Sequence, residues 1–417
     1  MLTSLSVDEA IEQILGAVRP LGSEQVDLLS ARGRVLAEDV AAVAPIPPWA
    51  NSSMDGFAVR YADLAAAGSI ARERPLELRV VEEVPAGRMP SRTLGAGEAA
   101  RIMTGAPLPE GADTVVPLED AEAREGCVRL FAGASRGAYV RPVGQDVAAG
   151  ELVLPAGTPV TPAVVGMLAQ LRRAYVAVHA APRVAILSTG DELVEVDDRD
   201  DARPGRAAIV NSNSYQLAAA VAEAGAAPLQ LGIAEDRPEA IRAKVETGLR
   251  LADCLVSTGG VSVGDYDFVK AVLADLGADL RFWKIAVRPG KPLVFGLVAG
   301  RPYFGLPGNP VSSLVTFELF VRPALRQLMG YAGAQRFRPT VEAEVRESFT
   351  VPSGRRHYLR CRLTRRADGA YHAVTTGNQD SAVLKSLVLA DGLLVVPEDR
   401  REVREGDRLS VVLLGQG

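Results

Sequence analysis

The sequence predicts a multidomain α/β plus β chain. Its parts are a parallel, doubly wound α/β catalytic domain, a mixed and discontinuous N-terminal domain, a small β-rich lobe and a C-terminal β-barrel. Three observations predict this. The 417 residues exceed one ordinary domain of about 100–200 residues. Between residues 182 and about 330, strand-like and helix-like runs alternate at βαβ spacing. On either side, over 49–139 and from 336 onward, the period falls toward two, with Gly, Pro and Asp turns between short apolar runs.

Taken in order, Ser6 and Glu9 form a capping box that opens a helix with Ile11, Ile14, Leu15 and Val18 on one face. A second short helix is expected over 28–35, before Pro45-Ile46-Pro47-Pro48 breaks the chain. Strands are expected over 76–81, 99–103, 114–117 and 128–131. Thr161-Pro162 then opens a helix to about 171, with Thr as N-cap and Pro at N1, and that helix is expected to pack on the first one. In the α/β region, strands are expected over 183–188, 229–233, 253–257 and 281–287. Helices are expected over 214–225, 238–251, 268–276 and 310–329. The last strands fall over 341–345, 358–362, 371–375, 393–396 and 409–413. The resulting partition is 1–46 with 140–180, then 47–139, 181–332 and 333–417.

Composition narrows the function. With 48% hydrophobic and 23% charged residues the chain is globular rather than disordered. A net charge of −5 argues against non-specific nucleic-acid binding, so any anion must meet a local basic cluster. Cys127, Cys254 and Cys361 are widely spaced and lack a CxxC pair, which disfavours a disulfide framework or a thiolate zinc site. His179, His357 and His372 are scattered, leaving little material for nucleophilic triads. There is no signal-peptide pattern and no 18-residue apolar run, so the expected location is the cytoplasm. Only five of the 46 basic residues are lysine, and two of those, Lys284 and Lys291, stand seven apart.

Ligands of open α/β sheets bind outside the carboxyl ends of the strands. There stand Ser188-Thr189-Gly190-Asp191-Glu192, then Asn211-Ser212-Asn213-Ser214, then Glu235-Asp236. They are followed by Thr258-Gly259-Gly260-Val261-Ser262-Val263-Gly264-Asp265-Tyr266-Asp267, by Lys284, Arg288 and Lys291, and by Pro307-Gly308-Asn309-Pro310. Singly, each is explained as a cap or a positive-φ turn. Together they bring acidic, glycine-rich and basic turns to one sheet edge. Glycine-rich turns offer backbone N–H groups to oxyanions, carboxylates suit Mg²⁺, and lysines neutralise phosphate. That mixture points to phosphoryl or nucleotidyl chemistry with electrostatic stabilisation of the leaving group. No GxxxxGK[ST] is present, and no GxGxxG opens the first βα turn. The lobe adds a second polar constellation over 51–58 and 101–107.

Segments 51–58, 101–107, 188–193, 257–267, 282–292 and 305–313 resemble, in order, the signatures of the molybdopterin molybdenumtransferases, the MoeA family that includes the gephyrin E domain. The Thr-Gly-Gly-Val-Ser-x-Gly and Pro-Gly-Lys-Pro motifs are shared with related single-domain adenylyltransferases. The lobes and Met54-Asp55-Gly56 favour the four-domain transferase. The resemblance implies a homodimer that inserts molybdate into adenylylated molybdopterin with Mg²⁺-dependent release of AMP. By motif position, Glu192, Asp236 and Asp267 serve the metal and the nucleotide phosphate. Lys284, Arg288 and Lys291 hold molybdate or the pterin phosphate, with Arg288 standing where the family often has lysine.

The resemblance also implies that the β lobe contributes Asp55 and Thr104, from the same or the second subunit, together with Asp146, and that the last domain contributes Ser381. Ser188, Thr189, Gly190, Gly259, Gly260, Ser262, Pro307, Gly308, Asn309 and Pro310 complete the substrate set. Implied partners are the adenylyltransferase of the same pathway and apo-molybdoenzymes. Two rival readings stay open at this point: a pterin adenylyltransferase using Mg·ATP, and a gephyrin-like scaffold.

Overall fold

The computed structural model describes residues 4–198, 207–260 and 268–415. The chain divides into two compact units: Met1–Glu38 with Gly157–Gly166 and Ala174–Gly417, and Asp39–Ala156 with Met167–Arg173.

Helix α1 (Val7–Ala17) begins on its capping box: Glu9 N–H donates to Ser6 Oγ at 3.2 Å, and Ser6 N–H donates to Glu9 Oε2 at 2.8 Å. The helix expected over 28–35 does not form. Ser23–Asp27 is instead a strand paired with Tyr175–His179. Asp27 Oδ1 accepts the N–H groups of Leu29 and Ser30 at 3.0 and 3.1 Å, an Asx turn that competes with a helical start.

Six strands form the central sheet: β1 (Arg183–Thr189), β2 (Ala227–Ala234), β3 (Cys254–Thr258), β4 (Asp279–Lys284), β5 (Pro292–Val298) and β6 (Arg301–Leu306). Their order is β2-β1-β3-β6-β5-β4. Pairing is parallel from β2 to β6, but β5 runs antiparallel to both β6 and β4. The sheet is therefore parallel from β2 to β6 and antiparallel beyond, where the sequence suggested a parallel one. The cause is a two-residue hairpin turn, Ala299-Gly300, with both φ positive at 49° and 76°.

Alternation along β1 builds two cores. Val184 and Ile186 join Leu217 and Val221 of α2 (Ser212–Glu223) on one face. Ala185 and Leu187 join Ile241 of α3 (Pro238–Leu251) and Val272 of α4 (Phe268–Asp275) on the other. The helical run expected over 310–329 is split into α5 (Pro310–Thr316), a π-helical turn at Phe317–Val321 and α6 (Arg322–Leu328). Pro323 supplies no N–H there, which breaks the regular ladder. Val7, Ala10 and Ile14 of α1 pack into the same cluster as Leu325 and Leu328, so α1 lies on α6.

Strands β7 (Thr340–Val345), β8 (Arg356–Arg365), β9 (Tyr371–Thr375), β10 (Gly392–Val396) and β11 (Arg408–Leu413) close a five-stranded barrel in the ring β8-β9-β7-β11-β10. The pair Val287-Arg288 adds in parallel to β8 at Arg356 and His357, stitching the loop after β4 to the barrel.

The second unit holds a six-stranded sheet in the order Thr114–Pro117, Gly56–Val59, Glu98–Ile102, Leu76–Val84, Cys127–Leu130, Ala121–Arg124. Phe57 and Val59 pack with Val116 on one face, and Ala58 with Val115 on the other. Among the described residues no helix is long and apolar enough to cross a membrane.

Candidate functional site

Strand registers decide where the turns fall. Thr189 pairs with Ala234, Ser188 with Thr258, Thr258 with Leu306, and Lys284 with Pro292. The carboxyl ends of β1, β2, β3, β6 and β4 are therefore level on one sheet edge. The strand order reverses beside β1, where a crevice opens between neighbouring loops.

A cleft of about 280 Å³ sits there, lined by Thr189, Glu192, Gly259, Gly308, Asn309 and Pro310, with Leu193, Ile209 and Val210 as its aliphatic wall. Gly259 has φ +87°, and a Cβ on it would drive into the Thr189 carbonyl oxygen. Gly190 lets the Glu192 carboxylate fold back over it; a Cβ there would meet Glu192 Oε1 at 2.7 Å. Thr189 Oγ1 is buried at the cleft and has no hydrogen-bond partner. Asp236 N–H donates to Asp191 Oδ1 at 3.0 Å, tying the turn after β2 to the turn after β1. Burial first, then the neighbouring Asp191 and Glu192 charges, push the Asp236 carboxyl above the usual Asp range. Among the described residues no three His, Cys, Asp or Glu groups form a ready-made metal cage.

A second cavity, of about 470 Å³, lies where the barrel meets the loop after β4. Arg288, His357, Arg360 and Gln379 line it. Arg360 is 1% exposed. Its Nε donates to Ser386 Oγ at 3.1 Å, and its Nη2 donates to Asp380 O at 3.1 Å. Burial pulls its pKa down to about 10, so it stays protonated at neutral pH. Among the described residues no carboxylate hydrogen-bonds to it, and the nearby Asp380 charge only partly offsets its burial. Glu347 and Asp380 also line the cavity, but their oxygens accept the backbone N–H groups of Thr375 and Ala382. Burial, then Arg288 and Arg355, hold the buried His357 below the usual His range, against the effect of its bond to Pro352 O. It is thus neutral at pH 7. A desolvated guanidinium with only neutral partners is costly unless an anion joins it.

The basic residues stand apart from the acidic cleft. Lys284 ends β4, four strands from β1, which at ~4.8 Å per strand is roughly 19 Å along the edge. Lys284 and Lys291 line neither cavity; Lys284 is half-buried and Lys291 exposed. Arg288 reaches the barrel-side cavity. Ser188 is fully buried and its hydroxyl donates to Asn211 Oδ1 at 2.8 Å, so it faces the fold and not the cleft. Gly260, at φ +62°, packs against Val269, and the Pro307 carbonyl accepts from Thr258 Oγ1 at 3.2 Å. Ser381 accepts from Asn309 Nδ2 at 2.9 Å, between Asp380 of one cavity and Ala382 of the other. Ser262 and Asp267 lie outside the described residues.

Asp55, Thr104 and Asp146 belong to the second unit. There Thr104 N–H and Oγ1 both donate to Asp55 Oδ1 at 2.7 Å. The hydroxyl and then the amide hold the Asp55 carboxyl below the usual range. Asp146 is exposed, and its N–H donates to Ile46 O at 2.9 Å.

Comparison with known proteins bears on this geometry directly. The family models described as MoeA N-terminal region (domain I and II), probable molybdopterin binding domain and MoeA C-terminal region (domain IV) match residues 5–171, 185–327 and 342–414. A molybdopterin molybdenumtransferase of Nostoc sp. is 40% identical over 98% of this chain and 94% of its own length. The chain belongs to the molybdopterin molybdenumtransferase (MoeA) family. A relative of the same name from Bacillus subtilis is 36% identical over 99% of this chain and 94% of its own. A crystal structure of the MoeA protein of Pyrococcus horikoshii superposes with TM-score 0.84 at 28% identity, covering 99% of this chain and all of that one.

Within this MoeA chain, the cleft residues other than Ala382 fall in the stretch matched as a probable molybdopterin binding domain, and Arg360 falls in the stretch matched as domain IV. Sequence reasoning missed Arg360. It stands in a strand buried from His357 to Cys361 on both faces, so period-two patterning offered no warning.

Proposed function

We propose that this chain performs the molybdenum insertion of its family: molybdate enters adenylylated molybdopterin and AMP leaves, with Mg²⁺ present. One observation carries the reading. The sheet edge offers a carboxylate-bearing cleft at its switch point, and the barrel beside the loop after β4 offers a cavity with a buried guanidinium that, among the described residues, no carboxylate hydrogen-bonds.

The clustered carboxylates fit a hard divalent cation, because Asp236 is held above its usual range partly by Asp191 and Glu192, a repulsion that such a cation relieves. Glu192 and Asp236 would hold it, together with Asp267. When bound, the cation supplies charge neutralisation at the departing phosphate. The turns at Gly259 and Gly308 let ligand oxygens approach the backbone, and Thr189 Oγ1 donates its free hydrogen bond to one of them. Arg360 and Arg288 hold the molybdate oxyanion, while Lys284 and Lys291 neutralise the pterin phosphate along the same edge. No protein nucleophile is needed, since the dithiolene sulfurs of the substrate capture the metal, and holding the oxyanion close to them is the main contribution.

We extend the reading to a cytoplasmic homodimer. Buried free thiols at Cys254 and Cys361 suit a reducing compartment. Val43, Trp49 and Val143 in the second unit are exposed apolar side chains that a second copy would cover. The adenylyltransferase of the pathway would supply the substrate, and apo-molybdoenzymes would receive the product. Relatives matched over 94% of their own length bear the transferase name, which disfavours the adenylyltransferase and scaffold alternatives. Incubation with adenylylated molybdopterin, Mg²⁺ and molybdate should release AMP and incorporate metal together. If neither responds to the protein, the reading fails.

A further inference from the structure

Asn213 stands in the first turn of α2, where an Asn ordinarily serves as a cap. Here that task is already taken: Asn211 is the N-cap, its Oδ1 accepting Ser214 N–H at 3.3 Å. The Asn213 carboxamide is spent across the cleft instead. Its Nδ2 donates to Thr258 Oγ1 at 2.8 Å and to the Gly308 carbonyl at 2.7 Å. Its Oδ1 accepts from Gln216 Nε2 at 3.0 Å, and the same Nε2 donates to Pro310 O at 2.9 Å. One side chain thus touches three segments: α2, the end of β3 and the turn after β6.

The ladder between β3 and β6 runs out at Thr258 and Leu306, where the cleft begins. Beyond it the lips are Gly259-Gly260 and Pro307-Gly308, and glycine turns lose the most freedom when ordered. A lip ordered before the ligand arrives spares that cost at binding. We propose that Asn213, seconded by Gln216, is a positioning residue that holds the lips of the cleft at fixed separation so that the nucleotide part of the substrate meets a preformed seat. This rests on the functional reading above.

The test uses the full chain with AMP and, separately, molybdate as calorimetric probes, together with steady-state kinetics. Asn213→Ala should weaken AMP about tenfold and raise KM for adenylylated molybdopterin equally, with kcat and the molybdate Kd within twofold of wild type. Gln216→Leu, which removes only the second tie and whose Oε1 has no partner to lose, should weaken AMP about threefold with an unchanged melting temperature. Unchanged AMP binding in both variants overturns the proposal. So does an equal loss of AMP and molybdate affinity with a lowered melting temperature, which would make the residue merely structural. A wild-type chain that binds no AMP sinks the functional reading itself, a result separable from the variant comparison.

Discussion

At one end of the sheet edge, Asp236 is partly buried among like charges, beside Asp191 and Glu192. In the barrel, beside the loop after β4, Arg360 is 1% exposed with a hydroxyl and a carbonyl as partners. Both are ionisable groups held in uncomfortable surroundings, and the discomfort has opposite sign. Each is relieved by a different ligand, a cation at the acidic end and an oxyanion at the basic end. A substrate with a phosphoanhydride at one end and metal-binding sulfurs at the other would place each near its matching charge.

The comparison is broken most severely at Arg360. Arg360→Met should weaken molybdate about a hundredfold, near the ~3 kcal/mol of a lost charged hydrogen-bond partner, and leave AMP binding unchanged. Calorimetry with each ligand checks this. Glu192→Gln should slow AMP release by tens of fold while molybdate still binds, followed by chromatography of released nucleotide.

The smallest effect sharpens the same contrast through stability. Because the folded pKa of Asp236 is raised, folding favours its protonated form. Its penalty is present above that pKa and fades as pH falls through it. Asp236→Asn should therefore raise the melting temperature slightly at neutral pH in the absence of divalent cation, with the gain vanishing on acidification, while AMP release falls.

Much of this was legible in the sequence because its signals are local. Ser6 and Glu9 announce their helix by hydrogen bonds between residues three apart, and βαβ spacing announces the sheet edge. What was not legible depends on tertiary context. The turn after Ser23–Asp27 is set by a side-chain carboxylate competing with a helical start. The antiparallel β5 depends on two positive-φ residues at 299 and 300, one of them an alanine. Arg360 sits in a strand covered on both faces, where alternation carries no information. Lys284 and Arg288 are four residues apart in sequence, yet only Arg288 lines the barrel-side cavity, because Val287-Arg288 pairs with β8.

The division of labour between the two ends is tested most directly by measuring AMP and molybdate binding side by side in Glu192→Gln and Arg360→Met. The account predicts a crossed pattern: the first variant keeps molybdate and handles nucleotide poorly, and the second does the reverse. If either substitution removes both ligands together in a protein that still melts like wild type, the two ends are not separate sites and the account is wrong.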